Sequence, residues 1–141
     1  MKLMKWQRPY REAWERLRSA GIRPTRQRLG LAKLLFDGDD RHVTAEMLYG
    51  EAKQAGVQVS LATVYNTLNQ FTVVGLLREV VIEPGRSHYD TNIAEHHHFY
   101  HESSTLLVDI PGHQLIVSEI PQLPAGTVIK RIDVVIRVDD V

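Results

Sequence analysis

Ser60-Leu61-Ala62-Thr63-Val64-Tyr65-Asn66-Thr67-Leu68-Asn69-Gln70-Phe71 opens the stretch on which the fold turns. It runs on to LREVVIEPGRSHYD, residues 77–90. Leu61, Val64, Leu68 and Phe71 fall at i, i+3, i+7 and i+10, which is one apolar stripe of a helix. Ser60 is placed to cap its start, and Gly75 to end it after about Val74. The period then changes from 3.6 to 2. Leu77 to Ile82 reads as a strand, Glu83-Pro84-Gly85-Arg86 as a turn, and Ser87 to Asp90 as the returning strand.

Upstream, the pattern is helical. Tyr10 to Ala20 carries Ala13, Trp14 and Leu17 on one side, and Gly21 stops it. Thr25 caps a second helix through Phe36, with Leu29, Ala32, Leu35 and Phe36 inward. Asp37-Gly38-Asp39-Asp40 is a loop. Thr44 starts a third helix without a capping box, with Met47, Leu48 and Ala52 inward, and Gly56 ends it. Short helices followed by a β-hairpin are the order of a winged helix-turn-helix domain. Downstream the chain is β-rich. His96 to Tyr100, Thr105 to Ile110 and Val128 to Val138 are strand candidates, and Pro111-Gly112, Pro121 and Pro124 leave little room for helix between the last two. The expected fold class is α+β, with residues 1–91 and 92–141 as two domains.

The chain has 141 residues, a formal net charge of zero, seven histidines and no cysteine. That length suits one domain or two small ones with a real core. Without cysteine, disulfides, thiolate nucleophiles and thiolate-bound zinc are excluded. The longest uncharged stretch, Gln54 to Leu77, is broken by nine polar residues, so no membrane helix is expected. Met1 to Arg18 is basic with no apolar core of a signal peptide, and a cytoplasmic location follows as the default.

Net zero hides an asymmetry. Residues 1–36 hold ten Lys/Arg against two acids, a net of +8, whereas residues 91–141 hold three against seven, a net of −4. A basic front suits a polyanion and an acidic back suits a cation. Double-stranded DNA is the expected polyanion. The helix opened by Ser60 would enter the major groove with its early residues on base edges. Ser60, Ala62, Thr63, Tyr65, Asn66 and Thr67 are its exposed early positions. The tyrosine ring and threonine methyls suit thymine methyls, and asparagine suits adenine. No Lys or Arg lies between Lys53 and Arg78. Phosphate contacts are therefore expected from Arg23, Arg26 and Arg28, with Arg78 and Arg86 on the wing.

The second chemistry lies in Glu95-His96-His97-His98. On a strand, His96 and His98 face one way and His97 faces the other with Glu95. His42, Asp90 and Asp109 are the plausible partners of the first pair. Together they make an all-N/O donor set that suits iron, manganese or zinc. Glu95, His97 and Asp133 form a less constrained second group, for metal or haem, and a histidine is also an axial haem ligand. Read as ordinary residues, His42 starts a helix, Asp90 and Asp109 edge their strands, and His88 and His113 lie on the surface. A metalloenzyme is disfavoured, because neither a general base nor a nucleophile accompanies the cluster.

Three ordered motifs then resemble the ferric uptake regulator family. They are Gly21-Ile22-Arg23-Pro24-Thr25-Arg26-Gln27-Arg28, His42-Val43-Thr44-Ala45-Glu46-Met47-Leu48-Tyr49, and Val59-Ser60-Leu61-Ala62-Thr63-Val64-Tyr65-Asn66-Thr67-Leu68. The resemblance covers essentially the whole chain. It implies a winged-helix DNA-binding domain, a small α/β dimerisation domain, and a homodimeric, metal-responsive transcription regulator rather than an enzyme. It puts the regulatory metal on His42, Asp90, His96, His98 and Asp109, and the DNA-contacting tyrosine at Tyr65. An arginine that often follows that tyrosine is replaced by Asn66. The family's Cys-x-x-Cys zinc site is absent, with His101 and Ser104 where its first pair would fall. That departure and the histidine run look most like the iron response regulator branch. The resemblance thus implies control of iron and haem genes in response to iron or haem, with manganese or zinc as the alternative effector.

Overall fold

The computed structural model describes residues 2–141, which form two compact units, 2–93 and 94–141.

The first unit opens with a 3-10 helix, Lys5–Tyr10, which runs directly into α1, Arg11–Ser19. Ala13 and Leu17 are the buried residues of α1. Gly21 takes φ +76, the left-handed conformation that ends a helix at low cost only for glycine. Helix α2, Arg26–Phe36, starts where Thr25 Oγ1 accepts the Arg28 N–H at 3.3 Å. Gly30 on α2 has a packing reason. A Cβ there would stand 2.8 Å from Val57 Cγ1, so only a glycine allows that approach.

Strand β1, His42–Val43, is two residues long and precedes α3, Ala45–Gln54. Thr44 caps α3 by accepting the Met47 N–H at 3.1 Å. Helix α4, Leu61–Val73, is capped by Ser60, which accepts the Thr63 N–H at 3.1 Å. Each cap satisfies a backbone donor that no turn of helix can reach.

Strands β2, Arg78–Glu83, and β3, Arg86–Asp90, form the hairpin, and β1 pairs antiparallel on the far side of β3. The core lies where the helices meet this sheet. Leu17, Leu29, Leu31, Leu35, Val43, Leu48, Val64, Leu68 and Phe71 are fully buried. Burial of each large side chain is worth about 2 kcal/mol. Two positions depart from expectation, Met47 expected inward and Thr67 expected exposed. Met47 is 49% exposed, and Ala45 is buried in its place, while Thr67 is 5% exposed and joins the core face of α4.

The second unit is a three-stranded sheet in the order β5-β4-β6. Strand β4, His97–His101, runs antiparallel to β5, Leu106–Ile110, and parallel to β6, Val135–Val138. A parallel pair requires a crossover. The chain between β5 and β6 supplies it with one 3-10 turn, Gly112–Gln114, and otherwise irregular backbone. The last strand is shorter than the apolar run from Val128 predicts, because Val128 and Ile129 are 89% and 44% exposed. Register puts Phe99 beside Val108 and Ile136, and His101 beside Leu106. Phe99, Leu106, Val108 and Ile136 thus form one apolar face, and all four are exposed. The end of the chain is tied to the β4–β5 turn. Ser103 Oγ donates to Asp140 Oδ2 at 2.8 Å, and His101 Nδ1 lies 3.1 Å from Asp140 Oδ1.

Candidate metal centre and nucleic-acid interface

Each unit holds its own histidine–carboxylate group. In the first, β1–β3 pairing sets His42 opposite Asp90, with His42 Nε2 3.7 Å from Asp90 Oδ2. Asp90 is 1% exposed, and its Oδ1 accepts the Asn92 N–H at 2.9 Å. The strand pairing is reinforced just beyond. Arg41 N donates to Thr91 Oγ1 at 2.8 Å, and Thr91 N donates to Arg41 O at 2.9 Å. The Arg41 guanidinium in turn grips Glu51 of α3 with two bonds, at 2.8 and 2.5 Å, and reaches the Leu34 carbonyl of α2 at 3.3 Å. The position of His42 is thereby fixed by both helices.

In the second unit, β4–β5 register sets His98 opposite Asp109. The Nε2 atoms of His96 and His98 lie 3.4 and 3.3 Å from the same oxygen, Asp109 Oδ1. Both rings are buried, with centroids 4.6 Å apart. His96 Nδ1 faces the Ala94 carbonyl at 2.6 Å, so that nitrogen must donate. In the neutral ring Nε2 then carries the lone pair. A carbonyl holding the far nitrogen in this way is how ligating imidazoles are oriented. An imidazole lone pair aimed at a carboxylate oxygen brings two acceptors face to face, and a cation between them resolves the conflict. The donor chemistry of each group, His42 with Asp90 and His96 with His98 and Asp109, fits a divalent transition metal.

The other expected ligand group does not form. Strand alternation turns His97 away from His96 and His98, and its Nδ1 accepts the Val134 N–H at 3.1 Å. A neutral ring accepting at Nδ1 carries its proton on Nε2, which leaves no lone pair for a metal there. Asp133 Oδ2 accepts from Arg131 Nε at 2.8 Å. Glu95, His97 and Asp133 are not brought together among the described residues. His88, expected on the surface, is buried.

The basic face forms in the first unit. Arg23, Thr25, Gln27 and Arg28 of α2 and its lead-in, with Thr63, Asn66, Thr67 and Gln70 of α4, line an open cleft of about 660 Å³. Arg28 Nη1 donates to the Arg23 backbone carbonyl at 3.0 Å, which holds the Arg28 side chain beside the Arg23 backbone. The Arg26 guanidinium instead stacks 4.4 Å over the Trp6 ring. Ser60 and Thr63 are joined at the start of α4, Oγ to Oγ1, at 2.9 Å. Asn66 is exposed on the next turn.

Arg78 corrects the reading of the wing. It is 4% exposed, directly opposite Asp90 on the ladder, and cannot reach a phosphate. Its place as a strand residue in phase with Val80 and Ile82 is the reason. Sequence reasoning passed over one further residue. Tyr65 Oη donates to Glu46 Oε1 at 2.5 Å, across from α4 to the first turn of α3. An acidic residue in a first turn is explained by the helix dipole alone, so nothing in the pattern marks it.

Comparison with known proteins gives the setting. The ferric uptake regulator family profile matches residues 19–134. A ferric uptake regulation protein of Shigella flexneri is 39% identical over 82 residues, 58% of this chain and 55% of that protein. One from Legionella pneumophila is 34% identical over 86 residues, 61% of this chain and 63% of that protein. The match thus spans little more than half the length of the first of these relatives. Among solved structures, the Vibrio cholerae ferric uptake regulator is 20% identical, with a TM-score of 0.70, covering 90% of this chain and 98% of that one. The Pseudomonas aeruginosa ferric uptake regulator, solved with manganese, is 22% identical, with a TM-score of 0.67, covering 91% and 97%. These structures share the fold.

Proposed function

This chain belongs to the ferric uptake regulator family, a family of regulators and not of enzymes, and from that premise we propose that it is a metal-responsive transcription regulator that binds double-stranded DNA as a homodimer. The observation that carries the proposal is the convergence of His96 and His98 Nε2 on Asp109 Oδ1, with His96 oriented by the Ala94 carbonyl. His42, Asp90, His96, His98 and Asp109 would hold the metal. When bound, it supplies a fixed positive charge that satisfies carboxylates and imidazoles together. The family resemblance assigns all five to one regulatory metal, and its binding would change the affinity for DNA. In a dimer, a metal-dependent change in the spacing of the two α4 helices would change the fit to two half-sites.

The DNA reading rests on the Arg23–Arg28 cleft beside the start of α4, where Ser60 and Asn66 are exposed and Thr63 and Tyr65 half-buried. Arg26 contributes charge from its seat on Trp6. The dimer reading rests on the exposed apolar face of Phe99, Leu106, Val108 and Ile136. No described helix is long and apolar enough to cross a membrane, and a DNA-binding role assigns the chain to the cytoplasm.

The effector is iron in this reading, after the iron response regulator branch that the histidine run and the missing cysteines resemble. Haem is the second reading, and the burial of His96 and His98 at 4% and 2%, against one carboxylate, favours the bare ion over a porphyrin. Titration with iron(II), manganese(II), zinc(II) and haem, each followed by DNA-binding anisotropy, tests this. One of the three ions is expected to change DNA affinity by about tenfold or more, the low end of a typical coupling. Binding of all three without any change in DNA affinity would overturn the regulator.

A further inference from the structure

The Tyr65–Glu46 contact has no role in the reading above, which it extends and on which it rests. The two residues are 19 apart in sequence and belong to neighbouring helices, α4 and α3. Glu46 is exposed at the first turn of α3, on the same side as the start of α4. Its carboxyl is held below the usual range, chiefly by the Tyr65 hydroxyl and then by a backbone hydrogen bond. The Tyr65 phenol is raised by the same bond, so at neutral pH the pair is a protonated phenol donating to a charged carboxylate. A phenol has one proton to give. While it goes to Glu46, the hydroxyl cannot donate to a phosphate oxygen or a base acceptor. The Glu46 charge also repels any phosphate that approaches that hydroxyl. What Tyr65 still offers DNA is the apolar ring, and the apolar feature on a major-groove base edge is the C5 methyl of thymine.

We propose that Glu46 is a specificity-determining residue, which takes the Tyr65 hydroxyl out of phosphate binding and aims the ring at a thymine methyl. A second effect follows from the same charge. An acid on the DNA-facing surface weakens binding to every sequence, and because the ring it aims restores affinity only at the matching thymine, the ratio of specific to non-specific affinity rises.

The test uses the full chain loaded with manganese(II). A duplex is first selected from a random pool, and each thymine in it is then replaced singly by deoxyuridine, which lacks only the methyl. For the wild type, one such replacement is expected to cost about fivefold in affinity, the scale of a lost methyl contact. Tyr65→Phe breaks the same bond from the other side and is expected to lower that deoxyuridine loss below about twofold, while the Glu46 charge keeps non-specific binding weak. Glu46→Ala frees the ring and is expected to lower that loss below about twofold while tightening binding to an unrelated duplex. Glu46→Gln keeps an acceptor and is expected to keep the thymine preference while also tightening non-specific binding. Unchanged thermal midpoints separate these outcomes from misfolding. A full thymine preference in either Tyr65→Phe or Glu46→Ala overturns the proposal. If no sequence is enriched from the pool, the DNA-reading function falls, and this inference falls with it.

Discussion

Replacing Asp109 by asparagine removes one charge and almost no volume from the histidine centre. In the folded protein that oxygen stands 3.3–3.4 Å from two imidazole nitrogens. The side chain is 43% exposed, so the fold gains little from it. A substitution at such a site is expected to alter stability by no more than about 0.5 kcal/mol. Metal binding is a different matter. Asparagine offers a neutral carbonyl oxygen where the cation met a full charge. Loss of a supporting carboxylate alone costs about 10- to 100-fold in affinity, and loss of a ligating one lies at or beyond the upper end. About 100-fold is therefore expected, which is about 2.7 kcal/mol at ~1.4 kcal/mol per decade. Manganese(II) binding followed by electron paramagnetic resonance reads the affinity, and anisotropy on the selected duplex reads the response. Asp109→Asn should retain the wild-type melting midpoint and metal-free DNA affinity, but should need about 100-fold more manganese for its response. A variant that binds manganese within threefold of wild type, with its DNA response intact, would refute the assignment of Asp109 as a ligand.

Other expectations follow from the same geometry. Arg23→Ala should weaken binding to all duplexes and lower the salt slope by about one, whereas Arg78→Ala should leave the slope alone and cost about 2–4 kcal/mol in urea unfolding, because Arg78 is a buried cation. Equal slopes for the Arg23 variant and wild type would remove it from the phosphate interface. Leu68→Ala, at a fully buried position of α4, should cost about 2–5 kcal/mol in the same measurement. A cost under 1 kcal/mol would place α4 outside the core. Asp140 has its carboxyl lowered first by Ser103 and then by His101. A lowered carboxyl stabilises the fold above its ordinary 3.8 and loses that effect as pH falls through the lower folded value. The melting difference between wild type and Asp140→Ala should therefore be present at pH 6 and vanish in acid well below 3.8. A difference that persists there would mean that the charge is irrelevant.

The helix starts were legible because capping is local. Thr25, Thr44 and Ser60 each accept from a backbone N–H three residues on, and no distant residue is needed to see it. The change of period after Gly75 was legible for the same reason. Strand β1 was not, since two residues become a strand only by pairing with Tyr89 and Asp90, far along the chain. Alternation within β4 correctly separated His97 from His96 and His98. It could not show that Val134 would claim the His97 nitrogen, because β6 arrives from 37 residues away. Arg78 was misjudged although the signal was present, for it shares its strand face with Val80 and Ile82. Glu46 and Arg41 carry contacts between elements, and composition holds no trace of them.

The knot of His101, Ser103 and Asp140 at the end of the second sheet contains no sulfur. Peroxide has no thiol there to oxidise, and a chelator has no thiolate-bound zinc to strip. The contacts that close the second sheet at this end are therefore ones that neither peroxide nor a zinc chelator attacks, so the frame around His96, His98 and Asp109 outlasts both treatments.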